Sequence, residues 1–173
     1  MRVTKQLRTE TGHRLVDYDG RCAHLHGHSY LWEVTVEAQH LTQNGMVTDF
    51  KELKQAMNQV LDPLDHAMVL APDDKLVTGK TENGLLHTFN ATNGEKGRLH
   101  IWHDNPTAES FAKWAANEIQ KVIWEEPDFI DCTVVKVRVW ETANSYAEWN
   151  LGEDEMVSEQ HDPASSCIAS GLI

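Results

Sequence analysis

Residues 28–39, His-Ser-Tyr-Leu-Trp-Glu-Val-Thr-Val-Glu-Ala-Gln, alternate with a period of two. Tyr30, Trp32, Val34, Val36 and Ala38 share one parity, and Glu33, Thr35 and Glu37 share the other. Only an extended chain sends successive side chains to opposite faces. Aromatic and β-branched residues on the apolar parity mark a strand with one buried face and one wet face, of the antiparallel kind. Such a strand needs neighbours along its edges and a layer over its apolar face. Residues 2–11 are a weaker strand that would precede it in a hairpin.

The covering layer is readable as two helices. Asp49 can cap the first, with Glu52 completing a box-like start. Phe50, Leu53, Ala56, Met57, Val60, Leu61 and Leu64 then recur at helical spacing, and Pro63 should end the helix. The second starts near Asn105-Pro106, with Asn as cap and Pro in the first turn. Its apolar face is Phe111, Trp114, Ala115, Ile119 and Val122, and Pro127 follows its end. Between them, Leu86 to Trp102 reads as a β-hairpin turning at Asn93-Gly94. A last hairpin joins residues 132–141, with Val135, Val137 and Val139 on one face, to residues 145–151. The order β-β-α-(hairpin)-α-β-β predicts an α+β fold, an antiparallel sheet with helices on one face.

At 173 residues the chain is sized for one domain. The expected body is residues 1–151, with an insertion at about 71–104. Residues 152–173 form a polar tail carrying Glu153, Asp154, Glu155, Glu159 and Asp162 and no Lys or Arg. The net charge of −12 disfavours a nucleic-acid partner. No apolar run approaches the roughly 20 residues of a membrane span. The first residues lack the apolar core of a secretory signal, and three scattered cysteines make no disulfide framework. A reducing cytoplasm is the expected setting.

Ten histidines are present, three of them within residues 24–28. On an extended chain His26 and His28 face the same side and can converge on one metal, with Gly27 easing close approach. A catalytic zinc keeps three protein ligands and one open position. The third ligand would be His13, at the end of the first strand, or His24, and spacing does not decide between them. Cys22 can be a ligand, a small buried apolar group or a reactive thiol. Asp65-His66 places a carboxylate beside an imidazole, which suits general acid–base work. Glu141, at a strand end, can pair with two donors of a flat nitrogen heterocycle.

Taken in order, these pieces resemble a known family. His13 followed by Cys22-Ala-His-Leu-His-Gly-His-Ser-Tyr30 looks like the zinc and cysteine signature of the 6-pyruvoyl- and 6-carboxytetrahydropterin synthases. Gly45-Met-Val-Thr-Asp-Phe-Lys-Glu-Leu-Lys54, Leu64-Asp-His66, Asn105-Pro-Thr-Ala-Glu109 and Trp140-Glu-Thr142 resemble four further blocks of that family, in the same order. Thr9-Glu-Thr-Gly12 departs from the small residues that usually precede the first zinc histidine. The region 71–104 is longer than in compact members.

The resemblance implies a tunnelling fold: a four-stranded antiparallel sheet with two helices on one face, here with an extra hairpin. Subunits of this family commonly form a homohexamer of two trimers, with active sites between subunits. Zn2+ would be held by His13, His26 and His28. Cys22 matches the catalytic cysteine, and Asp65 with His66 the partner dyad. Glu141 matches the acid that anchors the pterin ring, and Thr107 and Glu109 fall at further pterin contacts. The implied substrate is 7,8-dihydroneopterin triphosphate. Asp49-Phe50 and Pro106-Thr107-Ala108-Glu109 look more like the 6-carboxy branch, which releases acetaldehyde and triphosphate and feeds 7-deazaguanine (preQ0, queuosine) synthesis. The alternatives are the 6-pyruvoyl activity of the tetrahydrobiopterin pathway and a zinc- or pterin-binding protein without turnover.

Overall fold

The computed structural model describes residues 1–75, 81, 82, 85, 86, 98–127, 129 and 131–153. β1 (Arg2–His13) runs antiparallel to β2 (His26–Ala38), in register from Arg2 opposite Glu37 to His13 opposite His26. β2 pairs antiparallel with β7 (Cys132–Thr142), and β7 with β8 (Ser145–Asn150). These four strands are the predicted antiparallel sheet.

The sheet continues beyond them. β3 (Ala67–Leu70) joins the free edge of β1 in parallel, from Thr11 opposite Ala67 to His13 opposite Val69. β6 (Leu99–Ile101) follows in parallel, then the short β5 (Leu85–Leu86) and β4 (Thr81–Glu82), each antiparallel to its neighbour. Among the described residues the result is one eight-stranded mixed sheet, ordered β4-β5-β6-β3-β1-β2-β7-β8, where sequence reading expected four strands and an added hairpin. The physical reason lies in Ala67-Met-Val-Leu70. A parallel strand covered on both faces is a continuous apolar run, without the alternation that gave β2 away. The turn expected at Asn93-Gly94 lies outside the described residues.

Two helices cover one face. α1 (Phe50–Leu61) is capped by Asp49, whose carboxylate accepts the Lys51 amide at 2.8 Å. It stops ahead of Pro63, which lies in a 3-10 turn spanning Asp62–Leu64. α2 (Ala108–Glu125) begins later than predicted. Thr107 is its N-cap, accepting the Ser110 amide at 3.2 Å. Asn105 instead clamps the loop after β1, accepting from Val16 N at 2.8 Å and donating to Val16 O at 3.1 Å.

Tyr30, Trp32, Val34, Val36 and Ala38 are all buried, as their parity predicts. They pack with Leu53, Met57 and Leu61 of α1 and Phe111, Ala115, Ile119 and Ile123 of α2. Trp114 and Val122 are only partly buried at the margin of this core. On β7 the reading needs one correction. Thr35 faces Lys136 while Val36 faces Val134, so Val135 is the extra residue of a β-bulge. Cys132 and Val134 are buried before it, Val137 and Val139 after it, and Val135 is half-exposed. Among the described residues, no helix is long and apolar enough to cross a membrane.

Candidate active site

The β1–β2 register builds the site. His13 lies opposite His26 and Thr11 opposite His28, so the hairpin brings three imidazoles to one end of the sheet, on its helix-covered face. Their ligand atoms all lie within 4.8 Å of one another. Ring centroids are 4.5 Å apart for His13 and His26, 5.2 Å for His13 and His28, and 5.0 Å for His26 and His28. The strands meet between them at Gly12 opposite Gly27. A Cβ on Gly27 would stand 3.0 Å from Thr11 O and 3.3 Å from Gly12 Cα. Only glycine allows so close a backbone approach without a shift.

Two of the three imidazoles have Nδ1 beside a main-chain carbonyl. His13 is 2% exposed, and its Nδ1 lies 2.7 Å from Pro106 O. A carbonyl only accepts, so Nδ1 carries the hydrogen and Nε2 keeps its lone pair. His26 Nδ1 lies 2.7 Å from His24 O, which orients that ring in the same way. Burial holds the His13 pKa below its ordinary value, with His26 and His28 adding to the effect against the Pro106 bond and Glu141. The neutral ring is the form that binds metal. His24, the alternative third ligand, stands outside the cluster and contributes its main-chain carbonyl. Three imidazole nitrogen donors, two of them with Nδ1 beside a carbonyl acceptor, suit zinc better than a hard cation, which wants oxygen ligands.

Glu141, near the end of β7, joins this group. Its Oε1 is 3.9 Å from His13 Nε2 and accepts the Tyr30 hydroxyl at 3.2 Å. That hydroxyl is also 3.1 Å from His13 Nε2. Burial above all, then Glu141, then Cys22, hold the Tyr30 phenol far above its ordinary pKa, so it stays protonated. Cys22 is a half-buried free thiol in the turn Arg21–Ala23. Its carbonyl accepts the Leu15 amide at 2.8 Å, which ties the turn to the chain leaving His13. Glu141 and His28 also line an open cleft of about 670 Å³ with Gln6, Arg8, Ser29 and Trp140.

The Asp65–His66 pair is formed, but elsewhere. Asp65 Oδ2 lies 2.9 Å from His66 Nδ1, and Oδ1 accepts the Glu10 amide at 2.8 Å. His66 N donates to Glu10 O at 2.7 Å, and His66 has a left-handed backbone, φ 52°. A non-glycine residue there costs of order 1–3 kcal/mol, and these bonds to Glu10 hold it in place. The Glu10 amide chiefly, with burial opposing and His66 assisting, keeps the Asp65 pKa below the usual carboxylate range. Glu10 has the opposite parity on β1 from Thr11 and His13. Among the described residues, no hydrogen bond or ion pair joins the dyad to the histidine cluster or to Cys22.

Thr107 and Glu109 also stand apart from Glu141. They line a separate cleft of about 720 Å³ with His103, Lys113 and Trp114. Thr107 is spent on capping α2, while its neighbour Pro106 supplies the carbonyl that holds His13. Sequence reading assigned Tyr30 to the core and missed its hydroxyl. The signal was available, since His26, His28 and Tyr30 share one parity and the ligand row runs directly into the core row.

Comparisons with known proteins agree on one family. The sequence profile described as 6-pyruvoyl tetrahydropterin synthase matches residues 2–151. A protein named 6-carboxy-5,6,7,8-tetrahydropterin synthase, from Rickettsia bellii, is 32% identical over 149 residues, covering 86% of this chain and 99% of that one. An uncharacterized protein of Wolinella succinogenes has a crystal structure that superposes with a TM-score of 0.69 at 25% identity, covering 87% of this chain and 98% of its own. The 6-pyruvoyl tetrahydropterin synthase of Plasmodium falciparum has the same fold, with a TM-score of 0.60 at 17% identity and coverage of 86% and 96%.

Proposed function

The chain belongs to the 6-pyruvoyl tetrahydropterin synthase family, and within that family we propose that it is a zinc-dependent 6-carboxy-5,6,7,8-tetrahydropterin synthase. It would take 7,8-dihydroneopterin triphosphate and water to 6-carboxytetrahydropterin, acetaldehyde and triphosphate, a lyase reaction on the way to 7-deazaguanines. The convergence of His13, His26 and His28 within 4.8 Å, beside Glu141, carries this reading. The names of the relatives favour the 6-carboxy branch.

His13 through Nε2, together with His26 and His28, would hold the zinc. Bound there, it supplies Lewis acidity toward the hydroxyls of the substrate side chain. The chain's own groups do the rest. The Glu141 carboxylate accepts hydrogen bonds from the N–H donors of the pterin ring and fixes its orientation. Cys22, as thiolate, takes a proton from a side-chain carbon at Sγ. Asp65 holds the hydrogen on His66 Nδ1, which leaves Nε2 to take and return a proton. Thr107 and Glu109, which line a cleft apart from Glu141 in the same chain, would add polar contacts to the ring only from a neighbouring copy.

Because dyad and cluster are separate within one chain, the complete site would form between copies, in a homohexamer of two trimers. The expected setting is cytoplasmic, with no nucleic-acid or membrane partner. Incubation with 7,8-dihydroneopterin triphosphate tests the reading. Acetaldehyde with a product of 6-carboxytetrahydropterin mass supports it. A 6-pyruvoyl product with no acetaldehyde moves the chain to the other branch. One zinc per chain without turnover would make it a binding protein.

A further inference from the structure

Cys22 lies on the loop between His13 and His26, and a thiol on a loop takes its position from whatever braces that loop. Leu15 N donates to Cys22 O at 2.8 Å, which closes the loop on itself. Arg14, where the loop begins, is paired with Asp74 through two hydrogen bonds. The next brace is at Val16. Asn105 Oδ1 accepts the Val16 amide at 2.8 Å, and Asn105 Nδ2 donates to Val16 O at 3.1 Å. One side chain thus satisfies both main-chain groups of Val16, as a neighbouring strand would. Asn105 is itself anchored, because its carbonyl accepts the Thr107 amide at 2.9 Å and the Ser110 hydroxyl at 3.2 Å in the first turn of α2. Pro106, the next residue, is buried, and its carbonyl lies 2.7 Å from His13 Nδ1. Two successive residues at the entry of α2 therefore hold one member of the histidine cluster and the loop that carries the thiol.

We propose that Asn105 is a positioning residue for Cys22, setting where the thiol stands relative to the histidine cluster. This rests on the pterin-synthase reading above, in which Cys22 takes a proton from the substrate side chain. The chemistry of Val16 selects an amide. Val16 presents one donor and one acceptor, and the Asn side chain offers one acceptor and a donor group at equal reach. Aspartate keeps the shape but sets a second oxygen against Val16 O, with no hydrogen between them. Alanine leaves both Val16 groups without their partner. Either change loosens Val16, then Leu15 beside it, then the Cys22 carbonyl bonded to Leu15. Proton transfer demands close placement, and an error of about 1 Å can lower a rate about 10²-fold.

Triphosphate release is measured on zinc-loaded wild type, Asn105→Asp, Cys22→Ala and the double variant. Asn105→Asp should keep one zinc per chain and a KM within about twofold, while kcat falls about 10–100-fold. In the Cys22→Ala background the same substitution should lower the rate no further, since residues that act as one unit are not additive. Alkylation by iodoacetamide reads the thiol without turnover, with peptide mass separating Cys22 from Cys132 and Cys167. Cys22 is half-buried, and its alkylation should quicken about fivefold or more in Asn105→Asp, the factor that goes with losing a hydrogen bond of ordinary net strength. If that variant does not fold, Asn105→Ala, which adds no charge, takes its place in every measurement. An unchanged alkylation rate would overturn the proposal. So would a full further loss of rate in the Cys22→Ala background, or loss of zinc, either of which would place the effect at His13 instead. If the wild type releases no triphosphate, the functional reading falls, and the alkylation rates still decide whether Asn105 positions the thiol.

Discussion

Asp65 keeps its charge further into acid than a free carboxylate because the Glu10 amide donates to it at 2.8 Å. A carboxylate whose folded pKa is depressed contributes stability that is whole above its unfolded value and is lost as pH falls through the folded one. The melting temperature of the wild type should therefore fall more steeply than that of Asp65→Asn as the pH drops below about 3.8, the ordinary value. Parallel acid limbs in the two melting series would remove Asp65 from this role. Cys22 poses the matching question for chemistry. Cys22→Ala should lower triphosphate release by about 10²–10⁴-fold, the usual worth of a positioned acid–base group, with zinc content unchanged. Full release from that variant would sink the mechanism. At this scale the sequence was most readable where chemistry forces residue type: three histidines, a cysteine, an acid at a strand end. It was least readable at Tyr30, because a buried aromatic satisfies the core whether or not its hydroxyl is used. The carbonyls of Pro106 and His24 were also hidden, since every residue offers one.

Elements differ in how plainly they announce themselves. β2 does so completely, because one face is dry and the other wet. β3 does not, and its parallel joins to β1 and β6 went unread with it, whereas β5 and β6 pair antiparallel as the arms of the expected Leu86–Trp102 hairpin should. The Val135 bulge was equally silent, since three alternating valines look like one continuous face until Val134 and Cys132 take the core side before it. α2 was displaced in the reading because Asn105 and Thr107 are both good caps, and Asn105 is engaged by Val16. The glycine pair at the β1–β2 end supports a sharp comparison. A methyl on Gly27 meets backbone, Thr11 O at 3.0 Å and Gly12 Cα at 3.3 Å, whereas one on Gly12 meets Met68 Cε at 2.7 Å, the end of a flexible side chain. Gly27→Ala should cost about 1–3 kcal/mol by overpacking, and Gly12→Ala less, because Met68 can move aside. Denaturant titration of both variants measures this. A larger loss at Gly12 would mean that Met68, not the backbone contact, fixes the hairpin end.

For the molecule as a whole, charge and assembly pull together. A chain of net charge −12 is a poor partner for a long polyanion, yet the proposed substrate carries a triphosphate. Five acids of the tail account for part of that excess, leaving −7 for the rest of the chain. Among the described residues no hydrogen bond or ion pair joins Asp65–His66 to the histidine cluster, and the resemblance read from the sequence already implies sites between subunits. If sites form between copies, Cys22→Ala and His66→Ala variants, each inactive, should regain measurable turnover after being dissociated, mixed and reassembled. No recovery on mixing would mean that one copy completes its own site. Beneath all of this lies the claim that His13, His26 and His28 form one zinc centre, and metal analysis of the purified chain tests it most directly. The account predicts one zinc per chain in the wild type and essentially none in His28→Ala, with the fold retained. Stoichiometric zinc in that variant, or none taken up by the wild type from a zinc-supplied buffer, would contradict it.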